Sequence, residues 1–423
     1  MGVSATLYGR VLASLEGACA GEDRRRVRSL GWLVTGILLE QDARLGRIAL
    51  AMGSAASAAS RQRQLLRLLD SGLDLRRSFG RWLRRELEGW FVRRVTLLLD
   101  TTSVGGRLYF VRLAIAHSQR AIPLVWRTYE GKSATVGFDG YRELLEEAER
   151  LLPPRLERVL LADRGFQHLE LLVWCHQHGW LYRVRAKSYL GVRLLDGTER
   201  RVGTFRRKVG EMRLLDTAYV GAAGIGPVGL VLCWPRYGQD QTMHVLSPDA
   251  PSVRTLEEFS RLAGIERAFR DDKSACFGIE RVRLTSPARL DCLLLGIAMA
   301  QVLLVSMATR LLLNYTRATV DTHGEGGLSM LQLGGRHLRS EAWQGRTPQL
   351  GICLLPDELT EVAGDERRRL RAFYHRLGLT PGEQWIPPGS FEERNLMWWL
   401  PGKIKRYKPR MPIGTPPLIW GRE

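Results

Sequence analysis

The chain has 423 residues, enough for two to four domains of about 150 residues and for a large buried core. Its hydrophobic fraction of 45% and charged fraction of 25% are those of globular proteins, which argues against a disordered, collagen-like or multi-span membrane chain. The 63 lysines and arginines exceed the 44 acidic residues by 19 charges, which favours a polyanionic partner, with nucleic acid ahead of a membrane surface.

The first part of the chain is predicted to be helical and rich in arginine. Residues 24–94 hold sixteen arginines against six acidic residues, and apolar residues such as Leu30 and Leu33 recur at helical spacing. Few acidic residues are present to neutralise these arginines, which raises DNA binding to equal weight with the plainer alternative of a solvated helix face. We predict an N-terminal helical DNA-binding domain over residues 1–90. Its candidate DNA contacts are Arg61, Arg63 and Arg67.

Strands and helices then alternate. The pattern predicts strands over 93–100, 108–116 and 122–129, a helix over 141–152, a strand over 159–162, a helix over 167–178 and a strand over 181–186. This order of three strands, helix, strand, helix and strand matches an RNase H-like core. Residues 188–250 contain strand-like runs at 191–195, 228–234 and 242–246 between glycine and aspartate turns, and they predict a β-rich insertion.

Two helices are predicted after the insertion. One is charged and covers about 255–279, and the other is apolar and covers 292–314. The apolar run from Cys292 to Ala308 is shorter than the roughly 20 residues that span a bilayer, so it predicts a buried core helix. Residues 321–423 are expected to form a C-terminal region with a charged helix at 365–377 and a basic, extended tail from Lys403.

The predicted fold is therefore of the α/β class. An RNase H-like mixed sheet flanked by helices is assigned to residues 91–187 and 251–320, with the β-rich insertion between them and the helical domain before them. The six cysteines form no C-x-x-C pair, and the N-terminus does not resemble a signal peptide. These features indicate a reduced, intracellular protein.

Two aspartates follow apolar strands in this core. Asp100 ends the run from Val95, and Asp163 follows the run from Val159 to Ala162. Alone, such an aspartate is more often a turn or helix-cap residue. In this strand order, however, the two fall on elements that an RNase H-like core uses for acids. Carboxylates that converge from separate elements are what two divalent metals need for phosphodiester chemistry.

A third acid is expected on a helix packed across the sheet, and Glu266 is the candidate. Glu266, Arg270 and Lys273 are spaced to share one helical face, which would combine a metal ligand with two phosphate contacts. An exposed, salt-bridged helix is the plainer alternative. The competing acids are Glu257, Glu258 and Glu280.

Three motifs together resemble the DDE transposases of bacterial insertion sequences, specifically the insertion sequence four family. They are Asp100-Thr101-Thr102, the run Ala162 to Phe166, and the helix from Ile265 to Lys273. That family carries a Y-x2-R-x3-E-x6-K signature around its third acid, and the spacing from Glu266 to Lys273 matches it. Phe259 stands at the tyrosine position and Leu262 at the arginine position, with Arg261 one residue earlier.

The resemblance implies a cut-and-paste transposase. Asp100, Asp163 and Glu266 would bind two Mg²⁺ or Mn²⁺ ions, and Lys273 would contact a phosphate. Arg164, Arg261 and Arg270 are further candidate DNA contacts. The partners would be terminal inverted repeats and target DNA, bound by a homodimer in the bacterial cytoplasm, at the nucleoid, without a membrane. An RNase H-like nuclease without strand transfer and a catalytically degenerate DNA-binding relative are the alternatives.

Overall fold

The structure is a computed structural model. It describes residues 3–16, 18–71, 75–90, 93–131, 135–205, 210–235, 242–314, 316–321, 328–346, 349–354 and 404–407. At 75–77, 85 and 404–407 it describes the backbone alone. The predicted helix at 365–377 and most of the basic tail lie outside the described residues.

The N-terminal part is helical, as the arginine-rich pattern predicts. Asp23 accepts a hydrogen bond from the Arg25 backbone N–H and Ser57 from that of Ser60, so both cap the helices that follow them. The helices are α1 (Val3–Glu16), α2 (Arg24–Glu40), α3 (Leu45–Ala51), α4 (Ala58–Leu69) and α5 (Leu75–Glu88).

The predicted core elements are all present, with boundaries shifted by a few residues. They are β1 (Arg94–Val104), β2 (Leu108–His117), β3 (Arg120–Glu130), α6 (Phe138–Leu151), β4 (Glu157–Ala162), α7 (Leu169–Gln177) and β5 (Leu181–Arg185). Strands β1, β2 and β3 are antiparallel neighbours, and β4 and β5 add in parallel on the other side of β1. The sheet order β3-β2-β1-β4-β5 confirms the predicted RNase H-like mixed sheet.

The insertion is rich in strands, as predicted, and it continues the core sheet. Its strands are β6 (Gly191–Leu194), β7 (Glu199–Arg201), β8 (Met212–Val220), β9 (Ile225–Cys233) and β10 (Met243–Ser247). Because β10 pairs antiparallel with β5, the insertion and the core form one sheet, to which β11 (Ile404–Tyr407) adds in parallel beside β8. The predicted boundaries between domains stay predictions.

The single charged helix predicted over 255–279 is wrong. The structure has two helices there, α8 (Val253–Ser260) and α9 (Ala263–Arg270), and a π turn over Asp271–Ala275. The break allows α9 to approach the sheet closely, since a Cβ on Gly264 would lie 2.8 Å from the Arg120 carbonyl oxygen. Helical periodicity alone does not reveal such a change of direction.

The predicted apolar core helix is α10 (Pro287–Leu313), followed by α11 (Met330–Trp343). Helix α10 is long and apolar enough to cross a membrane by length and composition, but its most apolar window is completely buried in the protein. The N-terminal helices pack against it: a Cβ on Gly296 would lie 2.7 Å from Leu33 Cδ2. Arg289 also donates to Asp70 at 2.6 Å. The N-terminal helices and α10 therefore share one hydrophobic core.

Helices cover both faces of the sheet, and β3 shows the alternation. The Trp126 and Thr128 side chains donate to Asp291 on α10, whereas Arg127 pairs with Glu143 on α6 on the other face. Asp100 is in register with Arg112, and Arg112 with Trp126. Because residues directly opposite on antiparallel strands share a face, Asp100 lies on the α10 side of the sheet.

Candidate active site

Strand register brings Asp100 and Asp163 next to each other. The parallel pairing of β1 with β4 ends at Leu99 opposite Ala162. Asp100 is the next residue of β1, and Asp163 directly follows the end of β4. Neighbouring strands are about 4.8 Å apart, so the two carboxylates begin from adjacent backbone positions. The sequence predicted that Asp100 ends its strand. This prediction is wrong, because β1 continues to Val104.

Glu266 is the third acid near this point. It lies in the first turn of α9, is exposed, and faces the site from the helix packed across β1, β2 and β3. Burial, together with the negative charges of Glu266 and Asp163, raises the pKa of Asp100 to about 7. A hydrogen bond from the Thr101 backbone N–H to Asp100 Oδ1, at 2.7 Å, opposes this rise in the pKa. The three predicted acids therefore interact electrostatically.

The chemistry of these three side chains fits a hard divalent cation. Carboxylate oxygens are the ligands that Mg²⁺ prefers. The pKa of Asp100 is raised first by burial and then by the negative charges of Glu266 and Asp163, which such a cation would neutralise. Within the described parts of the chain, however, no three His, Cys, Asp or Glu side chains are close enough together to hold a metal ion. Asp100 and Asp163 start from adjacent backbone positions, and Glu266 interacts with Asp100 through its charge.

Arg185 on β5 holds one of the acids. Its Nη1 donates to Asp163 Oδ1 at 3.3 Å, and its Nη2 donates to the Thr242 carbonyl oxygen at 2.9 Å. The Arg185 side chain is 14% exposed and that of Asp163 is 41% exposed, so the pair forms the border between the site and solvent. Arg185 was not identified from the sequence. Arginines at alternate positions of a buried strand, Arg183 and Arg185, were a signal that their charges have buried partners.

The predicted DNA contacts around the acids differ in accessibility. Arg164 and Arg270 are exposed, and each lies on the same element as an acid or directly after it. Lys273 lies in the π turn, off the regular helical face predicted for it, and its Nζ is 3.6 Å from Glu280. Arg261 is half-buried at the break between α8 and α9.

Phe259 and Leu262 are core residues. They are 7% and 6% exposed and lie on the two sides of the break, at the end of α8 and just before α9. The apolar side chains at these two signature positions therefore serve packing, and neither position presents a polar group to DNA.

The N-terminal candidates separate into two kinds. Arg63 and Arg67 are exposed and one helical turn apart on α4, as a phosphate-binding face requires. Arg61 is half-buried, and its Nη1 donates to the Met52 carbonyl oxygen. This hydrogen bond fastens α4 to the end of α3, and the role of Arg61 as a DNA contact stays a prediction.

A network of ion pairs that sequence reasoning missed ties α8 to the sheet. Glu258 accepts from Arg94 on β1 at 3.0 Å and from Arg183 on β5 at 2.7 Å, and Arg183 also pairs with Asp249 at 2.9 Å. Glu258 had been a competing candidate for the third acid. Its partners give it a structural role, since it fastens the segment that leads into α9.

The part of the chain that holds these acids is similar to a known family of domains. Residues 100–303 match the family described as "Transposase DDE domain", a stretch that begins at Asp100 and includes Asp163 and Glu266. No curated protein matched the chain significantly. One solved structure that matches is a cryo-EM structure of the piggyBac transposase synaptic complex with hairpin DNA, with 11% identity and a TM-score of 0.43. The match covers 92% of this chain and 86% of that one. Over residues 100–303, which hold the three acids, the chain is therefore similar to transposase DDE domains.

Proposed function

We propose that the protein is a cut-and-paste transposase, which cleaves DNA at the ends of its own element and joins the freed 3′-hydroxyl to target DNA. The observation that carries the proposal is the position of Asp100 on β1 and of Asp163 directly after the adjacent strand β4, with Glu266 near enough to raise the pKa of Asp100. The match of residues 100–303 to transposase DDE domains supports it.

Asp100, Asp163 and Glu266 are the residues that would hold two Mg²⁺ or Mn²⁺ ions. When bound, such ions lower the pKa of the attacking hydroxyl and stabilise charge on the leaving 3′ oxygen. The same three carboxylates would serve both steps, with water as nucleophile in cleavage and the 3′-hydroxyl in strand transfer. Before the ions bind, Arg185 keeps Asp163 at the edge of the site.

The exposed arginines near the acids would orient the scissile strand. Arg164 follows Asp163 directly, and Arg270 lies one helical turn after Glu266. Guanidinium groups bind phosphate oxygens in a bidentate manner, so this pair can hold the DNA backbone from two sides of the acids. Farther away, Arg63 and Arg67 on α4 would hold the terminal inverted repeat.

The net charge of +19 agrees with this assignment, since each phosphate contact releases counterions and strengthens binding at low salt. Because two element ends must be joined to one target, we further propose that a homodimer performs the reaction in the cytoplasm. The basic tail from Lys403 would add sequence-independent phosphate contacts.

An integration assay tests the proposal. A labelled duplex that carries the inverted repeat flanking the gene is incubated with the protein, a supercoiled target and Mg²⁺ or Mn²⁺. We expect a 3′-nick at the repeat, followed by joining of both labelled ends to the target. The matched control is the Asp163→Asn variant, which keeps the shape of the side chain and should form neither product.

The two alternatives give different results in the same assay. A nuclease without strand transfer would release the nicked end and never join it to the target. A degenerate DNA-binding relative would retard the duplex in a gel without forming either product. Either result would contradict the proposed transposition.

A further inference from the structure

A completely buried ion pair links β2, the strand next to that of Asp100, to the turn that follows the helix of Glu266. Arg112 on β2 donates from Nη1 to Asp272 Oδ2 at 2.6 Å, and both side chains are 0% exposed. Asp272 lies in the π turn that directly follows α9. Gln301 on α10 donates to the other carboxylate oxygen of Asp272.

The Arg112 end of this pair is fixed with respect to Asp100. Arg112 is the register partner of Asp100 in the antiparallel β1–β2 pair, so the two side chains leave the same face of the sheet. The Arg112 guanidinium is 4.9 Å from the centre of the Phe110 ring and 5.4 Å from that of Phe269, which is on α9. Arg112 is therefore held between the strand beside the first acid and the helix of the third.

Buried charges of this kind are seldom needed for stability alone. Removing both ions from water costs much of what their attraction returns, and a well-packed apolar pair often serves as well. Here the arginine is also incompletely satisfied, because Arg112 Nε and Nη2 are buried without a hydrogen-bond partner among the residues that the structure describes. An ion pair that is expensive to bury but directional is suited to fixing one element relative to another.

We propose that Arg112 and Asp272 are positioning residues, which hold α9 in the place where Glu266 faces Asp100. A second pair on the same turn agrees with this role: Arg120 donates to Asp271 at 2.9 Å. Arg120 precedes the rest of β3, so α9 is fastened at its end to β2 and β3 separately. The inference rests on the proposed function in one respect, namely that Glu266 is one of the carboxylates that would hold the metal ions.

The test removes both charges without leaving one of them buried alone. In the double variant Arg112→Met/Asp272→Asn, the asparagine Oδ1 can still accept the hydrogen bond from Gln301. The matched control is Arg317→Met/Asp321→Asn, which removes a largely buried pair, 2.8 Å long, beyond the end of α10. Hydrogen exchange of the full-length protein and its affinity for Mn²⁺, by calorimetry, are measured for both variants and the wild type.

We expect amide exchange in α9 and the π turn to become about tenfold faster in the first variant, because the helix loses its anchor. We expect its affinity for Mn²⁺ to fall roughly tenfold, the size typical when support of a metal ligand is lost. The control variant should retain wild-type values for both quantities. If the first variant does not fold, Arg112→Lys, which keeps the charge but lacks the guanidinium that reaches Asp272, is measured instead with the same expectations.

Exchange in α9 that matches the control variant would overturn the proposal. So would an unchanged Mn²⁺ affinity in a variant whose α9 exchanges faster, since the anchor would then not serve the acids. If the wild type itself binds no Mn²⁺, the proposed function is contradicted, and the exchange rates alone still decide whether the pair anchors α9.

Discussion

Arg185 donates to Asp163 at 3.3 Å and thereby occupies one oxygen of an acid that the proposed ions would need. The side chains meet across β4 and β5, at the carboxyl ends of two parallel strands. Since the Asp163 side chain is 41% exposed, solvent screens this pair, and it stabilises the protein by at most about 1 kcal/mol. The pair is therefore weak enough to yield to a divalent cation.

The first prediction concerns this competition. We expect Arg185→Gln to bind Mn²⁺ up to about fivefold more tightly than the wild type, because Asp163 is released from its partner. Calorimetric titration with Mn²⁺ measures the change. Arg193→Gln, on β6, is the matched control and should leave the affinity unchanged. Weaker binding by Arg185→Gln would mean that the arginine supports the site instead of competing for it.

The second prediction follows from the pKa of Asp100, which burial and two neighbouring acids raise to about 7. An unfolded aspartate has a pKa of about 3.9, so the folded state holds this proton more tightly. Stability therefore falls as the pH rises from about 4 to about 7, by at most about 4 kcal/mol. We expect Asp100→Asn, which carries no charge, to melt at a higher temperature than the wild type at pH 8, and the difference to vanish near pH 4.

Thermal unfolding across this pH range, without divalent cations, measures the effect. The exposed Glu199→Gln variant on β7 serves as the control and should follow the wild-type curve. A difference in melting temperature between Asp100→Asn and the wild type that stays constant from pH 4 to pH 8 would contradict the raised pKa of Asp100.

The third prediction couples the same residue to metal. At pH 8, Mg²⁺ should raise the melting temperature of the wild type, because a ligand that binds only the folded state stabilises it. Asp100→Asn should respond much less, since it has lost a charged ligand. An equal response of the two proteins would place the binding ion elsewhere. Repeating the measurement with K⁺ at equal ionic strength separates ligation from general screening.

The fourth prediction separates catalysis from DNA binding. Asp163→Asn and Glu266→Gln should each slow DNA cleavage by at least about a hundredfold, since each removes a charged ligand that stabilises the transition state. Their affinity for the inverted repeat should not fall. Glu170→Gln, an exposed acid on α7, should cleave normally. Near-normal cleavage by Glu266→Gln would mean that another carboxylate, and not Glu266, is the third acid.

The fifth prediction assigns the DNA-binding face of α4. Replacing Arg63 and Arg67 by glutamine should lower the magnitude of the slope of log affinity against log salt by about 1.8, for two lost phosphate contacts. Fluorescence anisotropy of labelled duplex at several salt concentrations measures this slope. Arg142→Gln/Arg150→Gln, on the exposed side of α6, is the matched control. A slope that matches the control would move the contact away from α4.

Point variants are preferable to deletion of residues 1–90 for this purpose. The N-terminal helices and α10 share one core, through contacts such as that between Leu33 and Gly296. Deletion would therefore expose apolar surface of the catalytic part and confuse lost DNA contacts with lost stability.

The sequence by itself was enough for the features that repeat locally. Period-two and continuous apolar runs identified the core strands, and the uninterrupted apolar run identified α10 as a buried helix, because side-chain periodicity follows from backbone geometry within one element. The carboxylates Asp100 and Asp163 were recognisable because each interrupts or follows such a run. The RNase H-like order of elements was readable for the same reason.

Only the tertiary structure decided what depends on contacts between distant segments. The break between α8 and α9 allows the close approach of Gly264 to β3, and the pairing of β10 with β5 makes the insertion part of the core sheet. Arg112 and Asp272 are 160 residues apart, so no local pattern could pair them. Their pairing depends on the loss of water around both charges, and that loss exists only once the sheet and the helices have closed around them.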